Sequence, residues 1–229
     1  MEGIYHILNR GVDQRKIFLD ERDYLRFIHN LFEFNDEKPA PNNNFYFQKN
    51  FLSDFKFNQE KERRELLVEI LAFCLMPNHY HLLLIPLKEG AISLFMQKLD
   101  VGYVKYFNQK YQRKGTLFEG KYKSILIKEE AHFIHLPYYI HFNPLDLKFP
   151  EWRKGELRDY QKAIRFLNKY RWSSFLDYIG EKNFPSVIRK DFLLKFFNGS
   201  QSYKKASYDW LKSLNQNKIK IFKNSTLEP

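Results

Sequence analysis

Apolar positions Ile4 to Leu8 form a short strand-like run that closes on Asn9-Arg10-Gly11, a turn-like tripeptide carrying a cation. Ile17-Phe18-Leu19 then leads to Asp20, an oxygen acceptor suited to cap a helix. Tyr24, Leu25, Phe27, Ile28, Leu31 and Phe32 follow it at helical spacing. From Asn35 to about Arg64 the periodicity dissolves. Lys38-Pro39-Ala40-Pro41 and Asn42 to Asn44 mark a loop, and Gln59 to Arg64 is a charge run. Phe45, Tyr46, Phe47, Phe51, Phe55 and Phe57 make this stretch too aromatic for an inert linker. It reads as an insertion, about residues 36–65, that folds back on the body or closes over a ligand.

Strand-like runs resume at Leu66 to Met76 and at His79 to Pro86, with Pro77-Asn78 as the turn between them. Ile92, Phe95, Met96, Leu99, Tyr103, Tyr106 and Phe107 then recur with the period of a long amphipathic helix. Its aromatics read as core, so Tyr103, Tyr106 and Tyr111 are set aside as nucleophiles. A basic loop, Arg113-Lys114-Gly115, precedes further strand residues from Thr116 to Ile127, with Lys121 and Lys123 on alternate positions. The order strand, helix, strand, strand, helix, strand predicts an α+β fold, a ferredoxin-like βαββαβ antiparallel sheet whose first and third strands are central. The two helices of such a fold cover one face, and a ligand pair on the open face would be reachable by a substrate, with the next segment as the flanking element.

After the sheet, Glu129-Glu130 open a helix that runs to Asn143-Pro144 with Pro137 inside it. Further helices are read around Tyr160–Leu167 and Asp191–Phe197, and the Lys-rich final stretch reads as a loosely held tail. The expected organisation is a catalytic domain over 1–147 and a helical extension with basic tail over 148–229.

Composition narrows the partner. There are 38 Lys and Arg against 27 Asp and Glu, a net charge of +11, which suits a polyanion such as nucleic acid. A single Cys74 inside an apolar run excludes an internal disulfide framework and fits a reducing compartment. No segment reads as a signal peptide or a membrane span, so a cytoplasmic location and no membrane partner are expected.

Two constellations carry chemistry. The strand period of two places His79 and His81 on one face, with Tyr80 and Leu82 on the other, and adjacent imidazoles are a natural pair of metal ligands. Taken alone, His-x-His is more often a pair of ordinary hydrogen-bonded histidines. On the helix after the sheet, Tyr139 and Asn143 are four apart and share a face, with His135 on the same side and Tyr138 turned about 100° away.

In order along the chain stand Tyr5-His6-Ile7-Leu8-Asn9-Arg10-Gly11, Ile17-Phe18-Leu19-Asp20, Met76-Pro77-Asn78-His79-Tyr80-His81 and Gly115-Thr116-Leu117-Phe118-Glu119-Gly120-Lys121-Tyr122-Lys123. Tyr139-Ile140-His141-Phe142-Asn143-Pro144 and Arg171-Trp172-Ser173-Ser174 complete the set. This ordered set resembles the IS200-like transposases, and most closely their REP-associated tyrosine transposase branch of the HUH single-strand DNA nucleases. Two features depart from the common pattern: Tyr80 stands as the middle residue between the histidines, and the 36–65 insertion lies outside it.

The resemblance implies that His79, His81 and the side-chain oxygen of Asn143 bind Mg2+ or Mn2+, and that Tyr139 attacks DNA to form a 5′-phosphotyrosine. Tyrosine ionises near pH 10, so activation is needed; the chain shows no assured general base, and a metal-bound water is a better candidate than His135. The partner it implies is single-stranded DNA with a hairpin or palindromic repeat. Arg10, Arg113, Lys114, Lys121, Lys123, Arg171 and Trp172 are the candidate DNA contacts. A monomer is favoured over a dimer that exchanges the tyrosine helix. The alternatives are a hairpin-binding protein without catalysis and a replication or mobilisation initiator of the wider HUH class. A bare RNA-binding module would carry aromatics where His79 and His81 stand.

Overall fold

The computed structural model describes residues 3–39 and 64–214. Positions 40–63 of the expected insertion and the chain beyond 214 lie outside the described residues. The elements run β1 (Ile4–Arg10), α1 (Glu21–Glu33), β2 (Val68–Met76), β3 (His79–Pro86), α2 (Ala91–Lys110), β4 (Lys123–Ile127) and α3 (Glu130–Phe142). Four more helices follow: α4 (Tyr160–Leu167), α5 (Phe175–Tyr178), α6 (Lys190–Phe196) and α7 (Ser200–Leu214). No helix among the described residues is long and apolar enough to cross a membrane.

The sheet is four-stranded and antiparallel in the order β2-β3-β1-β4, so the first and third strands are central, as the ferredoxin-like reading expects. The fourth strand is shorter than the Thr116–Ile127 run suggests. Only Lys123–Ile127 pairs with β1 in a ladder, while Phe118 forms an isolated bridge with Gly11. The Glu119-Gly120 pair interrupts what composition alone reads as one strand.

Asp20 caps α1 as expected. Its carboxylate accepts from the Asp23 amide, and Asp23 accepts in return from the backbone of Asp20 and Leu19. Lys110 then ties the buried Asp23 to the end of α2 at 2.7 Å. Helices α1 and α2 pack on the sheet face that carries Tyr80: Phe27 lies 4.9 Å from the Tyr80 ring, and the Tyr80 hydroxyl donates to Asp100 at 2.8 Å.

The second face is closed, not open. Helix α3 lies across it, with the Tyr139 ring against His81. The exposed edge of β2 is closed as well. The Trp172 carbonyl accepts from the Leu75 amide and the Ser174 amide donates to the Phe73 carbonyl, which makes residues 172–174 a fragment of a fifth strand. Helix α7 carries the helical region on to Leu214, and the rest of the expected Lys-rich tail lies outside the described residues. Tyr203, Ser207, Leu211 and Leu214 recur at helical spacing and are buried, and Trp210 stacks on Phe142 of α3 at 5.0 Å.

Ser174 joins three parts of this structure. Its Oγ accepts from the Phe73 amide at 2.9 Å and meets His141 Nε2 at 2.8 Å, while His141 Nδ1 meets the Tyr203 hydroxyl at 2.7 Å. All three side chains are fully buried. Ser174→Ala would leave a strand amide and an imidazole nitrogen unpartnered in the core, a loss of about 2–3 kcal/mol. The urea unfolding midpoint should fall accordingly. An unchanged midpoint would mean that the contact contributes nothing to holding α3 against the sheet.

Candidate active site

The hairpin turn sets the site. The Pro77 carbonyl accepts from the amides of Ile17 and Phe18, and the Asn78 carbonyl accepts from Gly11, so the Asn9-Arg10-Gly11 corner is fastened to the turn before the histidines. A side chain at Gly11 would meet the Arg15 carbonyl at 2.3 Å, which explains a glycine at this crossing. Beyond the turn, Tyr80 is anchored to Asp100 on the helical face, which commits its neighbours His79 and His81 to the other.

On that face the strand register adds a residue the sequence reading passed over. Leu8 and Arg10 of β1 stand opposite His81 and His79, so His6 shares the face. His6 Nε2 lies 2.9 Å from His81 Nδ1 and the two rings stack at 5.1 Å, while the His79 ring sits edge-on to His81 at 5.0 Å. The signal was present in the sequence: antiparallel pairing of two central strands brings Tyr5-His6-Ile7 alongside the histidine strand.

Burial holds these imidazoles neutral at physiological pH. It lowers His6 to about 3 and His79 to about 4, where Asp146 opposes the shift and Arg153 and Arg10 reinforce it. His81 is pushed well below the usual histidine range by burial, and next by His79, His6 and Arg153. Neutral imidazole is the form that ligates metals. Asn78 Oδ1 lies 2.7 Å from His79 Nδ1, which orients that ring. With the shared proton on His81 Nδ1, the Nε2 of His81 carries a lone pair, and this buried atom has no hydrogen-bond partner. The histidine pair therefore fits a divalent cation. No group of three or more His, Cys, Asp or Glu side chains that could hold a metal occurs among the described residues.

Helix α3 brings Tyr139 over the pair. Its ring lies 5.9 Å from His81 and 6.3 Å from His6, both edge-on, and the residue is 1% exposed. Tyr138 faces the opposite way and stacks on Tyr203 at 5.0 Å. Asn143 is fully buried at the end of the helix, with Nδ2 donating to the Tyr139 carbonyl at 2.8 Å. Its Oδ1 accepts from Arg153 Nη2 at 2.9 Å. His135 is half-buried one turn before Tyr139.

Arg153 is the second residue that sequence reasoning missed. It sits in the 3-10 turn Pro150–Lys154, where no periodicity marks it. Its Nε and Nη2 grip the Asp146 carboxylate at 2.8 and 2.6 Å, and Trp152 Nε1 donates to the same carboxylate at 2.6 Å. The guanidinium lies over the Tyr139 ring at 5.2 Å and the Trp152 ring at 5.0 Å.

The candidate DNA contacts are spread more widely. Lys123 is exposed and opposite Leu8, in one cross-strand row with His81. Arg10 stands opposite His79 and pairs with Glu119 at 2.7 Å. Lys114 and Lys121 are exposed, and Arg113 reaches Asn108 at 3.4 Å. Trp172 stacks on Tyr24 of α1 at 4.6 Å, with Arg171 over its ring at 4.9 Å, which sets this pair on the α1 side of the sheet.

Residues 42–143 match the family model described as transposase IS200 like, in agreement with the resemblance read from the motifs. A solved structure of a REP-associated tyrosine transposase bound to a REP hairpin aligns with 65% of this chain and 70% of that one. The identity is 15% and the TM-score 0.43. No curated protein matches.

Proposed function

We propose that this chain, matched over residues 42–143 by the IS200-like transposase family model, is a metal-dependent single-strand DNA endonuclease and strand transferase acting at DNA hairpins. One observation carries the reading: the Tyr139 ring meets His81 at 5.9 Å, next to His79, within one chain. A nucleophile and a pair of neutral imidazoles are thereby assembled within one chain, the arrangement a monomer would use.

His79 Nε2 and His81 Nε2 would hold Mg2+ or Mn2+, with Asn143 Oδ1, at the end of the nucleophile's helix, as the oxygen donor. When bound, the cation supplies positive charge that polarises the scissile phosphate. Tyr139 Oη attacks phosphorus as the bond to the 3′ oxygen breaks. The phenol gives up its proton and the departing 3′ oxygen takes one, leaving a 5′-phosphotyrosine and a free 3′-hydroxyl. Reversal of the same step joins a new 3′ end. Arg10 and Lys123 share the histidine face, which supports a role for them in holding backbone phosphates.

A hairpin-binding role without catalysis is the second reading. It draws on the burial of Tyr139 and on the guanidinium that occupies Asn143 Oδ1. The deciding experiment incubates the protein with single-stranded DNA hairpins bearing 5′ tails, with Mn2+ or Mg2+, and looks for a covalent adduct by denaturing gel and intact mass. The nuclease reading expects an adduct that EDTA abolishes and whose DNA-bearing peptide contains Tyr139. Tight binding with no adduct under either metal selects the second reading.

A further inference from the structure

The geometry points to Arg153 as a catalytic residue of the Tyr139 reaction, the cation that meets the phenolate and the scissile phosphate together; this rests on the strand-transfer reading above. Arg153 Nη1 lies 3.4 Å from Tyr139 Oη while Nη2 donates to Asn143 Oδ1 at 2.9 Å. In-line attack needs phosphorus about 3–3.5 Å from the nucleophile. A phosphate centred there on the guanidinium side of Oη carries its non-bridging oxygens into hydrogen-bond range of Arg153. A phosphate approaching Oη from the guanidinium side is therefore met by Arg153.

The surroundings make this an aimed cation. The Asp146 carboxylate grips Nε and Nη2 from behind, so the fork is held in one plane and Nη1 is directed at Tyr139. Trp152 fixes the carboxylate through its own N–H, and its ring lies 5.0 Å from the guanidinium carbon. The Arg153 side chain is about one-quarter exposed, at 26%, above a tyrosine that is 1% exposed. DNA arriving from solvent therefore reaches the Arg153 side chain before it reaches the phenol. A planar, permanently charged donor is suited to phosphate oxygens and keeps its charge whatever the pH.

In the forward step Arg153 stabilises negative charge that builds on the phosphoryl oxygens as the Oη–P bond forms and the P–O3′ bond breaks. In the reverse step it stabilises the phenolate as leaving group. Transfer of its Nη2 contact from Asn143 to the phosphate would release the amide oxygen at the moment substrate is in place.

The test compares wild type, Arg153→Ala and Arg153→Lys in single-turnover adduct formation on a saturating hairpin substrate. Hairpin affinity is measured in EDTA by fluorescence anisotropy. Arg153→Ala should lower the adduct rate by about 10²–10³-fold, with Kd in EDTA changed by less than about threefold, since one phosphate contact among many is removed. Added guanidinium should restore at least about tenfold of the lost rate by refilling the pocket between Asp146 and Tyr139. Lysine keeps the charge without the fork and should fall in between. An Arg153→Ala protein with wild-type rate overturns the inference. So does a slow variant that guanidinium does not rescue and whose DNA affinity falls in step, since that describes a brace or a binding contact. Absence of any adduct from wild type removes the strand-transfer reading and this inference together.

Discussion

Tyr139→Phe is expected to abolish the protein–DNA adduct, lowering its rate by on the order of 10³-fold or more, while Tyr138→Phe leaves it within about twofold. The contrast is informative because the two residues are neighbours on one helix and differ in what they face. Tyr139 presents its ring to His81 and its oxygen to Arg153. Tyr138 lies in the aromatic stack with Tyr203, Phe197 and Trp210, and burial raises its phenol to about 12. Removing either hydroxyl keeps the ring and so the packing, which is why both variants should fold and bind hairpin DNA like wild type. Urea midpoints and hairpin Kd measured beside adduct yield would verify that. An adduct that persists in Tyr139→Phe would place the nucleophile elsewhere and undo the roles given to Arg153 and Asn143.

Much of this arrangement could be read from the chain. Strand and helix periods gave the βαββαβ order, and the order alone placed β1 and β3 at the centre, where the pairing of Arg10 with His79 puts them. The period of two separated His79 and His81 from Tyr80, and the helical period separated Tyr139 from Tyr138. The helix after the sheet was expected to flank the histidine face; what went unread was how fully that face and the β2 edge are covered. Ala72, Cys74 and Leu83 are apolar and buried on the same side as His81, so β2 and β3 read as continuous apolar runs and not as alternating ones. That is the pattern of strands covered on both sides. The covering elements were hard to see for a physical reason. Residues 172–174 supply only a strand fragment, α5 has a single turn, and the turn carrying Arg153 is 3-10, all too short to show a period. Helix α7 does show one, with Tyr203, Leu211 and Leu214, but its lysines mask it in composition.

The covered face also explains why the histidine site and the fold depend on each other. Helix α3 carries Tyr139 on one side and His141 on another, and His141 is held by Ser174 at the β2 edge and Tyr203 of α7. The C-terminal helices thus fix the angle at which the tyrosine meets the histidines.

The same burial makes acid the condition under which the protein should fail. His6 and His141 titrate near 3, His79 near 4, and His81 well below 6.5, in each case chiefly because burial disfavours the charged ring. The unfolded chain binds protons at these sites near 6.5 and the folded chain does not, so their stabilisation is complete above 6.5 and is lost as the pH falls below it. Each histidine removes about 1.4 kcal/mol per pH unit in that window, and four together about 5 kcal/mol. Two carboxyls act in the opposite sense. Burial raises Asp100 to about 6 and raises Asp177, so both favour the fold as pH falls through their range. Asp100 alone against four histidines leaves a net loss of about 4 kcal/mol per unit below pH 6, which Asp177 lessens, enough to exhaust a typical margin of 5–15 kcal/mol within a few units. Urea midpoints followed by tryptophan fluorescence should hold steady from pH 8 to 7, fall steeply below 6.5, and vanish between about pH 5 and 4. His141→Gln keeps a donor and an acceptor between Ser174 and Tyr203 while removing one titrating ring, so it should shallow the slope by about 1.4 kcal/mol per unit. Midpoints that stay level from pH 7.5 to 5 would show that these rings accept protons inside the fold, and the neutral histidine pair on which the proposed metal binding depends would go with them.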